Sequence, residues 1–78
     1  MEIKVLGPGC LKCKRLEQST REAVDELGID ATITKVEDIM DIMNYGIAAT
    51  PALVVDEKVV ISGRLVSKEE IKRLLSND

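Results

Sequence analysis

Along this chain, short apolar runs alternate with stretches in which apolar residues return every three or four positions, and this rhythm predicts seven elements. Ile3 to Leu6 is apolar apart from Lys4 and stops at Gly7-Pro8-Gly9, which reads as a short buried strand entering a tight turn. Between Leu11 and Leu27, the positions Leu16, Thr20, Ala23, Val24 and Leu27 form one stripe of a helix, and Gly28 ends it. Glu17, Arg21 and Asp25 step along the other side at four-residue spacing, a pattern expected of an exposed face. Ala31 to Val36 alternates loosely and contains two threonines, as suits a strand with one exposed edge.

Asp38 is placed to cap a short helix, in which Ile39, Ile42 and Met43 have the spacing that usually marks core, and Gly46 is placed to stop it. Ala52 to Val55 and Val59 to Ile61 are apolar strands separated by Asp56-Glu57-Lys58, which predicts an antiparallel hairpin closed by Gly63. The last segment carries a capping box, Ser67 with Glu70, and Val66 can staple onto Ile71, with Leu74 and Leu75 extending the face. The order is βαβαββα. The first two strands are joined by a right-handed crossover, the last two by the hairpin, and helices lie on both faces of the sheet.

At 78 residues the chain is expected to form a single domain over 1–78. Its 45% hydrophobic and 32% charged composition belongs to folding chains rather than disordered ones. Tyr45 is the sole aromatic, so the core must be aliphatic, and Tyr45 itself reads as packing near a helix end. The net charge of −3 offers no basic footprint and the composition no stacking platform, which excludes nucleic acid as a partner. The longest apolar stretch falls far short of the roughly 18 residues a membrane span needs. The first residues alternate like a strand rather than a secretory leader, so a cytoplasmic location and no membrane partner are expected.

The chemistry sits in Cys10-Leu11-Lys12-Cys13, at the junction of the first strand and first helix. A disulfide across so small a loop contributes only about 2 kcal/mol in the chain-entropy model, so stabilisation is not its obvious purpose. In a reducing cytosol the pair points to catalysis or metal binding. Cys10 at the helix start and Cys13 about one turn inside can bring their sulfurs together. The free N–H groups and dipole of the helix end favour a thiolate on the outer cysteine. That thiolate would attack a substrate disulfide, and the second thiol would then release the reduced substrate. Lys12, Lys14 and Arg15 in the first turn oppose the dipole at about 0.3 to 1 kcal/mol each. They either support the thiolate, attract acidic substrates, or form a merely solvated face. Thr50-Pro51 opens an apolar strand, and base rates alone favour a trans bond there.

Taken together, the βαβαββα order, Cys10-Leu11-Lys12-Cys13 after the first strand, Thr50-Pro51 before the third and Gly63 before the last helix resemble the thioredoxin superfamily, specifically its small thioredoxin/glutaredoxin-like redox proteins. The likeness spans essentially the whole chain. It implies an α/β thioredoxin-like fold, a four-stranded mixed sheet flanked by three helices, and a protein disulfide oxidoreductase acting as a monomer without a cofactor. It further implies that Cys10 is the nucleophile, that Cys13 resolves, that Pro51 is cis beside the dithiol, and that the Thr50 backbone binds an extended substrate. Expected partners are a disulfide-containing protein or small molecule and a thioredoxin reductase or other dithiol donor. Larger members carry an aromatic before the first cysteine and Gly-Pro between the two, where this chain has Gly9 and Leu11-Lys12. The first strand has no counterpart of their buried acid, which leaves the proton acceptor for Cys13 unidentified.

Two other readings use the same residues. Small copper(I) chaperones also place CxxC after a first strand, and soft thiolates suit copper or zinc, but their βαββαβ order differs and a closed zinc site needs four ligands. A redox-inactive interaction domain would instead use Ile39, Met40 and Met43 as an apolar contact surface.

Overall fold

The apolar run at the start of the chain forms β1 (Glu2–Leu6) at the centre of a four-stranded sheet of order β2-β1-β3-β4. A computed structural model of the chain describes residues 1–76. β2 (Thr32–Val36) pairs parallel with β1 from Glu2 opposite Thr32 to Leu6 opposite Val36, and forms one edge. β3 (Ala52–Val55) runs antiparallel to β1, with Val5 opposite Leu53, and β4 (Lys58–Ser62) closes the other edge. The mixed four-stranded sheet with three helices is the architecture expected of the sequence.

Strand alternation sends β1 residues to two different cores. Ile3 and Val5 point with Leu53 and Ile61 toward α1 (Leu11–Leu27) and α3 (Lys68–Ser76), which add Leu16, Ala23, Ile71 and Leu75. Leu6, Ala52 and Val54 point the other way, onto Ile42 of α2 (Ile39–Met43), with Tyr45 and Ile47 at the margin. Thr20 is a fully buried polar residue whose hydroxyl donates to the Leu16 carbonyl at 2.7 Å, so its burial leaves no unpaired group. α1 and α3 are also tied at their surface, where the Glu26 carboxylate accepts from Lys68 and, at 3.0 Å, from Lys72. These two ammonium groups, Lys68 first, hold the Glu26 carboxyl below its ordinary value.

Several local expectations change in detail. The hairpin turn is two residues rather than three. Asp56 and Glu57 both adopt positive φ, 48° and 68°, as a tight turn matching the strand twist requires, so Lys58 already belongs to β4. Of the three apolar positions read as core in α2, only Ile42 is buried, and Ile39 and Met43 stand exposed beside Met40. A helix of five residues has room for one inward position against the sheet. The capping box is half formed: the Glu70 amide donates to Ser67 Oγ at 3.2 Å, but the Glu70 carboxylate turns to Arg64 at 2.9 Å. Glu17, expected on an exposed face, has a side chain only 18% exposed.

Candidate active site

The turn after β1 delivers the first cysteine to the helix end. The Gly7 amide is held by the Val36 carbonyl at 2.9 Å, and Gly9 turns with a φ of 90°, which leaves Cys10 as the N-cap of α1 in an extended conformation. From there the Cys10 carbonyl accepts the first helical bond, from the Lys14 amide at 3.0 Å, and Cys10 Sγ accepts from the Cys13 amide at 3.2 Å. The sulfur thus occupies the place that a serine or aspartate oxygen takes in an ordinary cap. It stands at the positive end of a 17-residue helix whose first turn contains no acidic residue.

The two cysteines are joined as a disulfide, with their Cα atoms 5.0 Å apart. They differ in access. Cys10 is exposed, whereas Cys13 is 5% exposed and buried between α1 and the β1 turn. Gly7 makes that burial possible, because a Cβ at this position would stand on Cys13 Sγ and 3.1 Å from Cys13 Cβ. The same imagined atom would lie 3.9 Å from Thr50 Cβ, which places Thr50 and Cys13 beside the same face of the glycine.

The Thr50-Pro51 bond is cis, against the base-rate expectation of trans and in keeping with the family resemblance. Pro51 is fully buried, and its carbonyl accepts from the Gly63 amide at 2.9 Å. Gly63 has a φ of 75° and passes so close to Ala49 that a Cβ would lie 2.9 Å from Ala49 Cβ, so the loop before β3 and the end of β4 pack as one unit. Among the described residues, the Thr50 amide and carbonyl have no main-chain partner. An apolar groove of about 290 Å³ leads up to Thr50, lined by Ile39, Met43, Ile47 and Ala49.

Charge surrounds the dithiol unevenly. Lys12, Lys14 and Arg15 are exposed and form no ion pair among the described residues. A larger recess, about 600 Å³, is lined by Lys4, Asp41, Tyr45 and Glu57 and contains no cysteine. Lys4 there donates to Glu57 and to the Tyr45 hydroxyl, each at 2.7 Å, and these bonds hold its ammonium above the usual lysine range. Tyr45 therefore packs and accepts a hydrogen bond on the α2 face, where the sequence expected packing alone.

Sequence reasoning brought Cys10, Cys13, Thr50 and Pro51 forward, and Gly7 and Glu17 are the residues it passed over. Gly7 looked like turn punctuation; the clue was its place directly after the buried run of β1 and six residues before Cys13. Glu17 was hidden by the polar periodicity of its helix, although it stands one turn after Cys13. Among the described residues, no group of three or more His, Cys, Asp or Glu side chains stands close enough together to hold a metal ion.

A protein-family model described as a thioredoxin domain matches residues 1–76. A curated protein named thioredoxin from Methanothermobacter thermautotrophicus is 49% identical over 76 residues, covering 97% of this chain and 99% of its own length. Another of that name from Methanocaldococcus jannaschii is 40% identical over 75 residues, covering 96% of this chain and 86% of its own. With a likeness this extensive across a helix-capping dithiol, the chain belongs to the thioredoxin family and is a thiol-disulfide oxidoreductase.

Proposed function

We propose that Cys10 is the nucleophile and Cys13 the resolving thiol of a single-domain cytoplasmic protein that reduces disulfides in proteins or small molecules. The observation that carries this reading is the difference between the two sulfurs. Cys10 Sγ is exposed at the helix N-cap and accepts the Cys13 amide, whereas Cys13 is almost wholly covered. An anion on Cys10 meets the oriented N–H groups of a helix end whose opening residues include Lys12, Lys14 and Arg15, and an incoming disulfide can reach it. Cys13 is reached only after Cys10 has been engaged.

In the forward direction, the Cys10 thiolate attacks one sulfur of the substrate disulfide, and the other substrate sulfur leaves as a thiolate. Cys13 then attacks Cys10 Sγ, closes the internal disulfide and releases the second substrate sulfur. Thr50 and Pro51 form the substrate platform. The unpartnered Thr50 amide and carbonyl suit an extended segment added as a further strand, and the groove between Thr50 and Met43 suits its apolar side chains. A second dithiol, such as that of a thioredoxin reductase, would reopen the Cys10-Cys13 bond, and the chain would act as a monomer.

The test is a pair of variants. Cys10→Ser is expected to abolish reduction of a generic protein disulfide, while Cys13→Ser still attacks and accumulates a mixed disulfide visible by mass. Equal trapping by both variants would reverse or dissolve the assignment of roles.

A further inference from the structure

Once Cys10 is tied up in a mixed disulfide, Cys13 has to lose its proton before it can attack. A thiol that is 5% exposed does not exchange that proton freely with bulk water. A free thiol has a pKa of about 8.5, and apolar burial raises it, so few such thiols are ionised at neutral pH. The space beside Cys13 is a recess of about 10 Å³, close to the room of one water, between Val5, Gly7 and Gly9. Lys14, Glu17, Lys35 and Glu37 complete its lining.

Two carboxylates therefore border the recess, and their settings differ. Glu37 is exposed and sits in the turn after β2, beside Gly9. Glu17 is half-buried and lies on the same helix as Cys13 at i+4, where Cβ atoms are about 5 to 6 Å apart. The oxygens of Glu17 have separate duties. Oε2 accepts from Arg21 Nε at 3.0 Å and stands 3.0 Å from its Nη2. Oε1 faces Lys35 Nζ at 3.7 Å, beyond hydrogen-bond reach, so one carboxylate oxygen is held in place without being saturated. Arg21 fixes the orientation, and Lys35 of β2 stands on the side of the free oxygen.

From this placement we propose that Glu17 is the proton acceptor for Cys13 during resolution of the mixed disulfide, an extension that rests on the assignment of roles above. In the step, the Cys13 thiol gives its proton to the Glu17 carboxylate, directly or through one water in the recess. The Cys13 thiolate forms a bond to Cys10 Sγ as the bond from Cys10 to the substrate sulfur breaks. The electron pair of that bond leaves on the substrate sulfur, which takes a proton from solvent, and Glu17 returns its own proton to solvent. Two electrons pass from the Cys10/Cys13 dithiol to the substrate, and in the reverse direction Glu17 protonates Cys13 as the internal disulfide opens.

The experiment is stopped-flow mixing of reduced protein with excess 5,5′-dithiobis(2-nitrobenzoate), in which attack by Cys10 and resolution by Cys13 each release one coloured thiolate in successive phases. Glu17→Gln is expected to leave the first phase unchanged and to slow the second on the order of tenfold at pH 7. This lies below the full range of a positioned base because the aromatic thiolate leaves easily. The deficit should shrink as pH rises past the free-thiol value of about 8.5, where a growing share of the thiol ionises unaided. Glu17→Asp should recover part of the rate, and Glu37→Gln should match the wild type in both phases. An unchanged second phase in Glu17→Gln, a slowing equal at every pH, or a deficit in Glu37→Gln instead would overturn the proposal. A wild-type protein lacking the first phase would instead refute the parent assignment of Cys10.

Discussion

Gly7 and Cys13 share space that only one side chain can fill: a methyl group on Gly7 would stand where Cys13 Sγ is. The buried cysteine is thereby seated against bare backbone, and the geometry of the dithiol depends on a residue that has no chemistry of its own. Gly7→Ala is expected to destabilise the protein by about 1 to 3 kcal/mol, as overpacking of a filled site does. Urea denaturation of the oxidised protein would check it, and an unchanged midpoint would contradict the packing argument.

The N-cap position of Cys10 makes a prediction about its ionisation. The thiol of reduced protein should titrate below the roughly 8.5 of a free cysteine. Replacing Lys12, Lys14 or Arg15 by glutamine should raise the midpoint by about 0.2 to 0.7 of a pH unit each, the equivalent of about 0.3 to 1 kcal/mol of charge interaction at a helix end. Thiolate absorbance against pH, measured in a Cys13→Ser background, reads this directly. A midpoint indifferent to all three substitutions would reduce the basic residues to a solvated face.

Exposure of Met40 and Met43 predicts a separation between stability and recognition. Met43→Ser should change the unfolding free energy by no more than about 0.5 kcal/mol, as exposed substitutions usually do. Because Met43 lines the groove that leads to Thr50, the same change should lower kcat/KM for a protein disulfide severalfold and leave the rate with a small aliphatic disulfide unaltered. Parallel losses on both substrates would count against substrate contact in the groove.

The helix-to-helix link at Glu26 carries a pH dependence whose sign is fixed. Lys68 and Lys72 depress the Glu26 carboxyl in the folded protein, so its contribution is present above the unfolded carboxylate value near 4.3 and is lost as pH falls through the folded one. Lys68 is shifted upward by the same bond, so its contribution is complete below about pH 10.4 and fades as pH rises further. Glu26→Gln should therefore melt lower than wild type at pH 7, and the gap should close on acidification below about pH 4. A difference in Tm that is constant from pH 3 to pH 7 would show that the substitution acts through packing instead.

Much of this architecture was legible in the sequence because the signals were local. The Leu16-to-Leu27 stripe with Gly28, the Asp38 cap and the Ser67 cap each act within a few residues; the first two reappear as expected, with Gly28 at a φ of 65° and Asp38 accepting the Met40 amide, and the third keeps the Ser67 half of its capping box. What escaped were relationships between distant segments. The exposure of Met43 depends on how much of the sheet a five-residue helix can cover, and Glu17 owes its neighbours Lys35 and Glu37 to a distant segment of the chain that meets it at the recess. Cys10 and Cys13 could be found from spacing, whereas the neighbourhood of Thr50 and Gly7 arises only when the loop before β3 folds against the end of β1.

The unequal cover over the two sulfurs also governs traffic. Cys10 Sγ is the exposed atom of the closed dithiol, so under the proposed roles the donor that reduces the protein and the target that reoxidises it must use a single doorway in turn. Electron flow through such a molecule is a queue. At saturating target the protein spends its time waiting for reductant, and a blocking group on that one sulfur halts both directions together.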